Sequence, residues 1–411
     1  MNNQEQHFTV SMHSSLHGVE TIGQLIVIPQ DSANASFEFS FDSHNLKHTG
    51  PPCFDPVALP LPFNRTTIHF DSENLPGFID DFLPDAWGYK VFRTMCALDG
   101  NNSGGLIDLI SLCNTANIGA ISIHTDNQRP SYSLGVNYLD LERVEHYAQL
   151  IDSDTIRWRR SGTEALRLKE QGFLGVGGAR PKCLIEQERI GYLAKFNRPA
   201  DAFNHARVEH ACSLMARAAG INVCESKVES DINGHDVLLV KRFDARPNES
   251  RAHLISANAL LKNRETFEDI GRSFKYDDVA RLIRLYSTDP KGDLKQLVKL
   301  MLFNRVINNT DDHERNFSFL LDSDGFRLAP AYDLVPTPVF GAYHSASYMY
   351  SQNPPLPSQI IKSGSILGLD KLVAAEIAES VIDVIARWYE FSDQAGLTSK
   401  EAENFGRLFR V

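Results

Sequence analysis

The chain has no apolar run of the roughly 20 residues that a membrane-crossing helix takes, and none is expected to sit in a bilayer. Its start, MNNQEQHF, has no basic segment followed by an apolar one, so no export leader is expected either. Excess positive charge is also missing. A net charge of −11 and a pI near 5.7 argue against a surface that holds nucleic acid unaided. The six cysteines, at 53, 96, 113, 183, 212 and 224, include no Cys-x-x-Cys pair, which excludes the usual zinc spacing and reads as reduced thiols in a cytoplasmic protein. There is no internal repeat, no low-complexity tract and no Walker phosphate-binding pattern. What remains, 411 residues with 42% hydrophobic and 23% charged, is ordinary globular composition with room for two or three domains.

The chemistry-bearing stretch is NNTDDHERNFSF, Asn308 to Phe319, with PAYDL following at Pro330–Leu334. An apolar run from Leu297 to Ile307 reads as a buried helix that delivers the chain into this polar knot. A strand over 317–321, an Asp-Ser-Asp-Gly turn and a second strand over 326–328 then lead to Asp333. Phosphoryl transfer needs a carboxylate to orient the acceptor hydroxyl, and an amide oxygen plus a second carboxylate to hold Mg²⁺. Protein kinases space the first two as Asp-x-x-x-x-Asn and place the third beyond a hairpin. Asp311, Asn316 and Asp333 have that order.

A second cluster is GFLGVGGARPK, with glycines at 172, 175, 177 and 178. Such a segment frees backbone N–H groups that can cradle phosphates, although it equally suits a tight structural turn. Lys195 lies near the end of the strand YLAKF, where a lysine is either an edge charge or a phosphate contact. The helix expected over 205–219 has Glu209 at the border of its apolar face, either solvated or paired with Lys195. A hairpin with an Asn-Gly turn at 233–234 follows, and its second strand ends at Lys241, Arg242 and Phe243, where a connector would offer backbone groups to adenine.

Elsewhere, short strands are expected between residues 7 and 70. Phe78–Ala97 takes helical spacing with a new start at Pro84-Asp85, and its aromatics read as core. Leu106–Leu112 is read as helix, Gly119–Ile123 as strand with His124 a satisfied polar residue, and Arg157–Arg160 as a solvated face. Helices are expected at 257–262, 277–286, 294–307 and 369–388, and loop over 336–365.

Taken together, GGARPK, YLAKF, NNTDDHERNFSF and PAYDL resemble, in that order, the HipA-type serine/threonine kinase toxins of bacterial toxin–antitoxin systems. FIDDFLPD and NIGAISI resemble that family's N-terminal subdomain, so the likeness covers most of the chain. The resemblance implies an α+β, protein-kinase-like two-lobed fold: a strand-rich subdomain over 1–150, a small lobe over 151–247 and a mostly helical lobe over 248–411, with ATP in the cleft between the last two. It implies Asp311 as the catalytic aspartate, Asn316 and Asp333 as Mg²⁺ ligands, and Lys195 on the ATP phosphates with Glu209 its partner. Gly175, Val176, Gly177 and Gly178 would cover the phosphates, the backbone of Lys241–Phe243 would face adenine, and His313 would shape the catalytic loop. The implied partners are a protein substrate, in known members an aminoacyl-tRNA synthetase, and a helix-turn-helix antitoxin on a separate chain through which DNA is reached indirectly.

One departure stands out. Well-known members carry a loop serine just ahead of the Gly-Ala pair, whose autophosphorylation inactivates them; Gly175 stands there instead, so that route of self-inactivation is not expected. The alternatives are a pseudokinase-like subunit of an antitoxin–DNA repressor complex, a small-molecule kinase of the aminoglycoside type, and a zinc hydrolase on Asp311, Asp312 and His313.

Overall fold

The computed structural model describes the chain except for residues 1–4, 15–17, 31–34, 43–52, 61–66, 72–74, 99–103, 114–117, 126–132, 154–171, 174–176, 247–250, 263–272, 323–324 and 340. Gly175, Val176 and the Arg157–Arg160 cluster therefore lie outside the described residues. The chain forms two compact units. One comprises Met1–Phe196, Lys241–Ile255 and Lys262–Phe267, the other Asn197–Val240, Ser256–Leu261 and Glu268–Val411.

The first unit begins with an antiparallel sheet of order β4-β3-β2-β1-β5. Its strands are β1 (Gln6–Ser14), β2 (Gly18–Pro29), β3 (Ala35–Phe41), β4 (Thr67–Asp71) and β5 (Ile121–His124). Strand β3 shows the period-2 pattern of a half-buried strand: Ala35, Phe37, Phe39 and Phe41 face in, and the residues between them are partly exposed. Phe39 meets Phe41 at 5.0 Å and Phe78 at 5.6 Å, edge to face. Phe78 lies on helix α1 (Gly77–Phe82), which ends before Pro84. The chain restarts as α2 (Ala86–Leu98), followed by α3 (Leu106–Leu112) and α4 (Leu141–Asp152). Strand β6 (Val136–Asn137) pairs in parallel with β7 (Lys182–Gln187), which pairs antiparallel with β8 (Ile190–Phe196). Two of the expected strands are longer than short: β2 has 12 residues, and β1 has 9.

In the second unit, α5 (His205–Ala218) is capped by Asn204, whose side chain accepts from the Arg207 N–H, and Gly220 (φ +72°) ends its C-terminal turn. Glu209 on this helix is buried, not solvated as its border position suggests. Strands β9 (Ser226–Ile232) and β10 (His235–Lys241) form a hairpin. Asn233 and Gly234, both at positive φ, supply the turn that the Asn-Gly pair predicts. Strand β11 (His253–Ser256) and helix α6 (Ala257–Leu261) come next in the chain, then α7 (Tyr276–Tyr286) and α8 (Pro290–Ile307). Helix α8 has Asp289 as N-cap and a proline in its first turn, and it buries residues on all sides. It packs against α7 and against α10 (Lys371–Ile385).

After α8 comes the hairpin of β12 (Ser318–Asp322) and β13 (Gly325–Leu328). Asp293 ties the helix to this hairpin: it accepts from Arg327 Nη2 at 2.9 Å, Leu328 N at 2.9 Å and Ser287 Oγ at 2.6 Å. The segment expected as loop over 336–365 contains a helix, α9 (Pro357–Ser363), because Pro357 stands at an N-terminal position that tolerates it. Helices α11 (Trp388–Gln394) and α12 (Ser399–Gly406) complete the unit, with α11 against α5. Among the described residues no helix is long and apolar enough to cross a membrane.

Candidate active site

Helix α8 ends at Asn308, which adopts the left-handed conformation (φ 59°) and turns the chain sharply. The Asn308 side-chain amide donates to the carbonyls of Thr337 at 2.6 Å and Val339 at 3.1 Å. Thr310 Oγ1 donates to Thr337 Oγ1 at 2.7 Å, and Ser345 N donates to the Thr310 carbonyl at 2.9 Å. The loop is thus stitched to the segment beyond Asp333 before it reaches its first acidic residue.

The two adjacent aspartates have opposite surroundings. The Asp311 side chain is 81% exposed. Partial desolvation, opposed by His313 and reinforced by the charges of Asp333 and Asp312, raises its carboxyl above the usual aspartate range. Asp312 is fully buried. Its Oδ2 accepts from Tyr276 Oη at 2.7 Å and His344 Nδ1 at 2.8 Å, and its Oδ1 accepts from Ala346 N at 3.1 Å. Burial, with the Asp312 charge next, pushes the Tyr276 phenol well up, so it stands as a permanent donor. With both oxygens so engaged, Asp312 is a structural anchor, and the zinc-hydrolase alternative loses one of its three ligands.

His313 caps the short 3-10 turn at Glu314–Asn316, its Nδ1 accepting from the Arg315 N–H at 3.2 Å. Its Nε2 lies 4.0 Å from Asp311 Oδ1. Asn316 donates its side-chain N–H to the Asp311 carbonyl at 2.7 Å. That bond fixes the amide flip and leaves the oxygen as the atom a hard cation would meet. Asp333 also takes the left-handed conformation, with φ 60°. In an aspartate this is uncommon and turns the residue out of the run that follows β13. Tyr332 beside it donates to the Arg315 carbonyl at 2.8 Å, joining the Asp333 segment to the Asp311–Asn316 loop. One amide oxygen and one carboxylate suit Mg²⁺, which keeps several waters and takes its other ligands from phosphate oxygens. Among the described residues no three His, Cys, Asp or Glu side chains are grouped as a metal cage, and a kinase-type site does not use one.

On the first unit, Lys195 lies on β8 directly opposite Lys182 on β7. The end of the glycine-rich segment is held by the Pro84-Asp85 restart and the first turn of α2. Asp85 Oδ2 accepts the Gly178 N–H at 2.8 Å, and Trp87 N donates to the Gly178 carbonyl at 3.0 Å. The Trp87 indole N–H donates to the Lys182 carbonyl at 2.8 Å, and its ring meets Phe173 edge to face. A β-carbon at Gly177 would fall 2.8 Å from Asp85 Oδ2, and one at Gly178 (φ +92°) would strike the Lys182 ammonium group. Gly178 is therefore held to glycine by its backbone conformation, whereas at Gly177 a side chain would require the Asp85 carboxylate to shift. The Pro84-Asp85 restart was the available signal for Asp85, whose partner lies 93 residues along the chain.

Of the residues expected to face adenine, Arg242 is committed elsewhere. Its N–H donates to the Gly191 carbonyl at 2.9 Å. Its buried guanidinium binds Asp244 through Nε at 3.1 Å and Nη2 at 2.7 Å. Burial opposes ionisation of Asp244, but the Arg242 charge and the Gly119 N–H outweigh it and hold the carboxyl below the usual range. The Arg242 backbone N–H is thus not available to a base; Lys241 ends β10 and Phe243 follows it.

The profile of the HipA-like C-terminal domain matches residues 174–403. Toxin YjjJ of Escherichia coli K12 is 25% identical over 282 residues, covering 64% of this chain and 60% of its own length. The serine/threonine-protein kinase toxin HipA of Shewanella oneidensis MR-1 is 26% identical over 168 residues, 36% of this chain and 37% of that one. The chain thus spans about half the length of the curated relatives it matches. A solved structure of the Shewanella oneidensis MR-1 toxin–antitoxin system HipA, HipB and its operator DNA contains a chain with a TM-score of 0.67 and 18% identity, covering 98% of this chain and 94% of that one. The profile takes in more than half of the chain, including the Asp311–Asn316 loop and Asp333, so the chain belongs to the HipA-type family and has its α+β, kinase-like fold.

Proposed function

We propose that the chain is an ATP- and Mg²⁺-dependent serine/threonine protein kinase that acts as the toxin of a toxin–antitoxin pair. The observation that carries this reading is the 2.7 Å bond from the Asn316 amide to the Asp311 carbonyl, which presents an amide oxygen beside an exposed carboxylate. In this reading Asp311 orients the acceptor hydroxyl, and Asn316 and Asp333 hold Mg²⁺. The cation's chemistry is to neutralise charge on the β- and γ-phosphate oxygens. Lys195 meets the ATP phosphates, and Gly177 and Gly178, with Gly175 and Val176, cover them. The serine/threonine-protein kinase toxin among the relatives supports the reaction class. The HipA–HipB–DNA complex supports a separate antitoxin chain that reaches DNA on the toxin's behalf. That arrangement suits a chain with a net charge of −11.

The test is phosphate transfer from labelled Mg²⁺–ATP to cell lysate protein by wild type and Asp311→Asn, with ATP affinity measured on both. Asp311→Asn is expected to lose about three orders of magnitude in turnover, as removal of an essential acid–base group does, while nucleotide affinity stays within a few-fold. If both proteins bind ATP and neither transfers phosphate, the chain is a nucleotide-binding subunit and the kinase reading fails.

A further inference from the structure

Asp311 and Asp333 lie on separate segments, and a metal shared between nucleotide and protein requires that their spacing be set in advance. A continuous run of buried hydrogen bonds connects the two segments from behind. It starts at Asp312, whose Oδ2 accepts from Tyr276 Oη at 2.7 Å. The Tyr276 oxygen accepts from Asn304 Nδ2 at 3.1 Å. Asn304 Oδ1 accepts from Asn309 Nδ2 at 3.1 Å, and the same Asn309 nitrogen donates to the Asp333 carbonyl at 3.2 Å. Tyr276, Asn304, Asn309 and Asp312 are each at most 3% exposed. They come from α7, the last turn of α8 and the catalytic loop.

Apolar side chains of similar volume would fill this space at lower cost, since each buried polar group must be matched to break even. A buried network of hydrogen-bonded side chains instead favours one arrangement of its members. Here its two ends carry functional geometry. One end is the residue next to Asp311, and the other is the carbonyl of Asp333, whose left-handed backbone would be disfavoured without such support.

We infer that Tyr276, Asn304 and Asn309 are positioning residues that fix Asp333 relative to the Asp311–Asn316 loop, so that the divalent-cation site exists before nucleotide arrives. None of the three touches the reacting groups; they act through the Asp333 backbone and Asp312. The inference rests on the phosphotransfer reading above.

The test uses the full chain with Tyr276→Phe and Asn309→Ala. Tyr276→Phe removes one atom and keeps the ring that packs edge to face on Phe317 at 5.4 Å, so it is the variant expected to fold unchanged. ATP affinity is measured by calorimetry without metal and across a Mg²⁺ titration, and phosphate transfer is followed against Mg²⁺ at saturating ATP. Each variant is expected to need about tenfold more Mg²⁺ for half-maximal ATP binding and transfer, and to bind metal-free ATP within twofold of wild type. Mn²⁺, which binds oxygen and nitrogen sites more tightly than Mg²⁺, should recover part of the loss. A merely structural role predicts equal weakening with and without metal, and that result overturns the inference. So does an unchanged Mg²⁺ requirement in folded Tyr276→Phe. Absence of metal-dependent ATP binding in wild type overturns the phosphotransfer reading itself and this inference with it.

Discussion

At the scale of single residues, the glycine-rich segment is shaped by single hydrogen bonds between residues distant in sequence. Asp85 and Gly178 are such a pair, joined at 2.8 Å. Asp85→Ala frees the Gly178 N–H and removes a charge-assisted bond of about 1.5–3 kcal/mol. In the phosphotransfer reading part of that loss appears as loop disorder, so ATP is expected to bind roughly tenfold more weakly. Asp85→Asn keeps one acceptor oxygen and should recover most of the affinity. Direct ATP titration of the three proteins checks this, and equal affinities would remove Asp85 from any role in the loop. The same scale explains what the sequence could and could not reveal. Asp311, Asn316 and Asp333 could be proposed from the sequence because the kinase pattern they follow is one of order and spacing along the chain. Asp85, Asp312, Tyr276 and His344 could not, because their partners are fixed by tertiary contact: Tyr276 reaches Asp312 across 36 residues and His344 across 32.

At the scale of elements, the end of α8 decides where the catalytic loop begins. Asn308 combines a left-handed backbone with two side-chain bonds to 337 and 339. Asn308→Gly keeps the backbone free to turn and loses only the side-chain bonds, whereas Asn308→Ala also pays about 1–2 kcal/mol for the left-handed conformation. Urea denaturation should therefore place Asn308→Ala below Asn308→Gly by on the order of 1 kcal/mol, and the reverse order would mean that backbone conformation does not limit this turn. The elements with strong periodicity were legible: α3 has the bounds expected from the sequence, and α5, α7 and the β9–β10 hairpin stand within a few residues of them. Strand β1 was not singled out, because its alternate residues Thr9, Ser11 and His13 are polar yet buried. Cross-strand bonds satisfy them: His13 to Ser122 at 2.9 Å, and Ser11 to His124 at 3.0 Å. No hydrophobic pattern announces such a face. Helices α11 and α12 escaped notice because the 369–388 run was read as one long helix, and each of them is only two turns.

At the scale of the whole molecule, buried histidines contribute to the loss of stability in acid. His253 donates through Nε2 to the Phe54 carbonyl at 2.7 Å and is fully buried, and burial lowers its pKa to about 4. Burial, then Arg251 and His124, lowers His13 to about 4 as well. Both are neutral in the folded chain and protonate near 6.5 when it unfolds. The unfolded state therefore binds more protons between pH 6.5 and 4, and stability falls across that window as pH drops, by up to about 3 kcal/mol per histidine. Equilibrium unfolding at pH 7 and pH 4.5 should show this loss, and His253→Gln, which can still donate to Phe54, should reduce it. An unchanged slope in His253→Gln would assign the acid sensitivity to other groups.

The interleaving of the two units has a practical corollary. The segment matched by the family profile starts at 174, after Asp85, Trp87 and Phe173 and after the strand that flanks β7. Trimming the chain to that segment would discard the bonds from Asp85 and Trp87 that hold Gly178. The matched stretch and the contacts that shape its first strand therefore have different limits: the hydrogen bonds on Gly178 and Lys182 come from residues 85 and 87, well ahead of it.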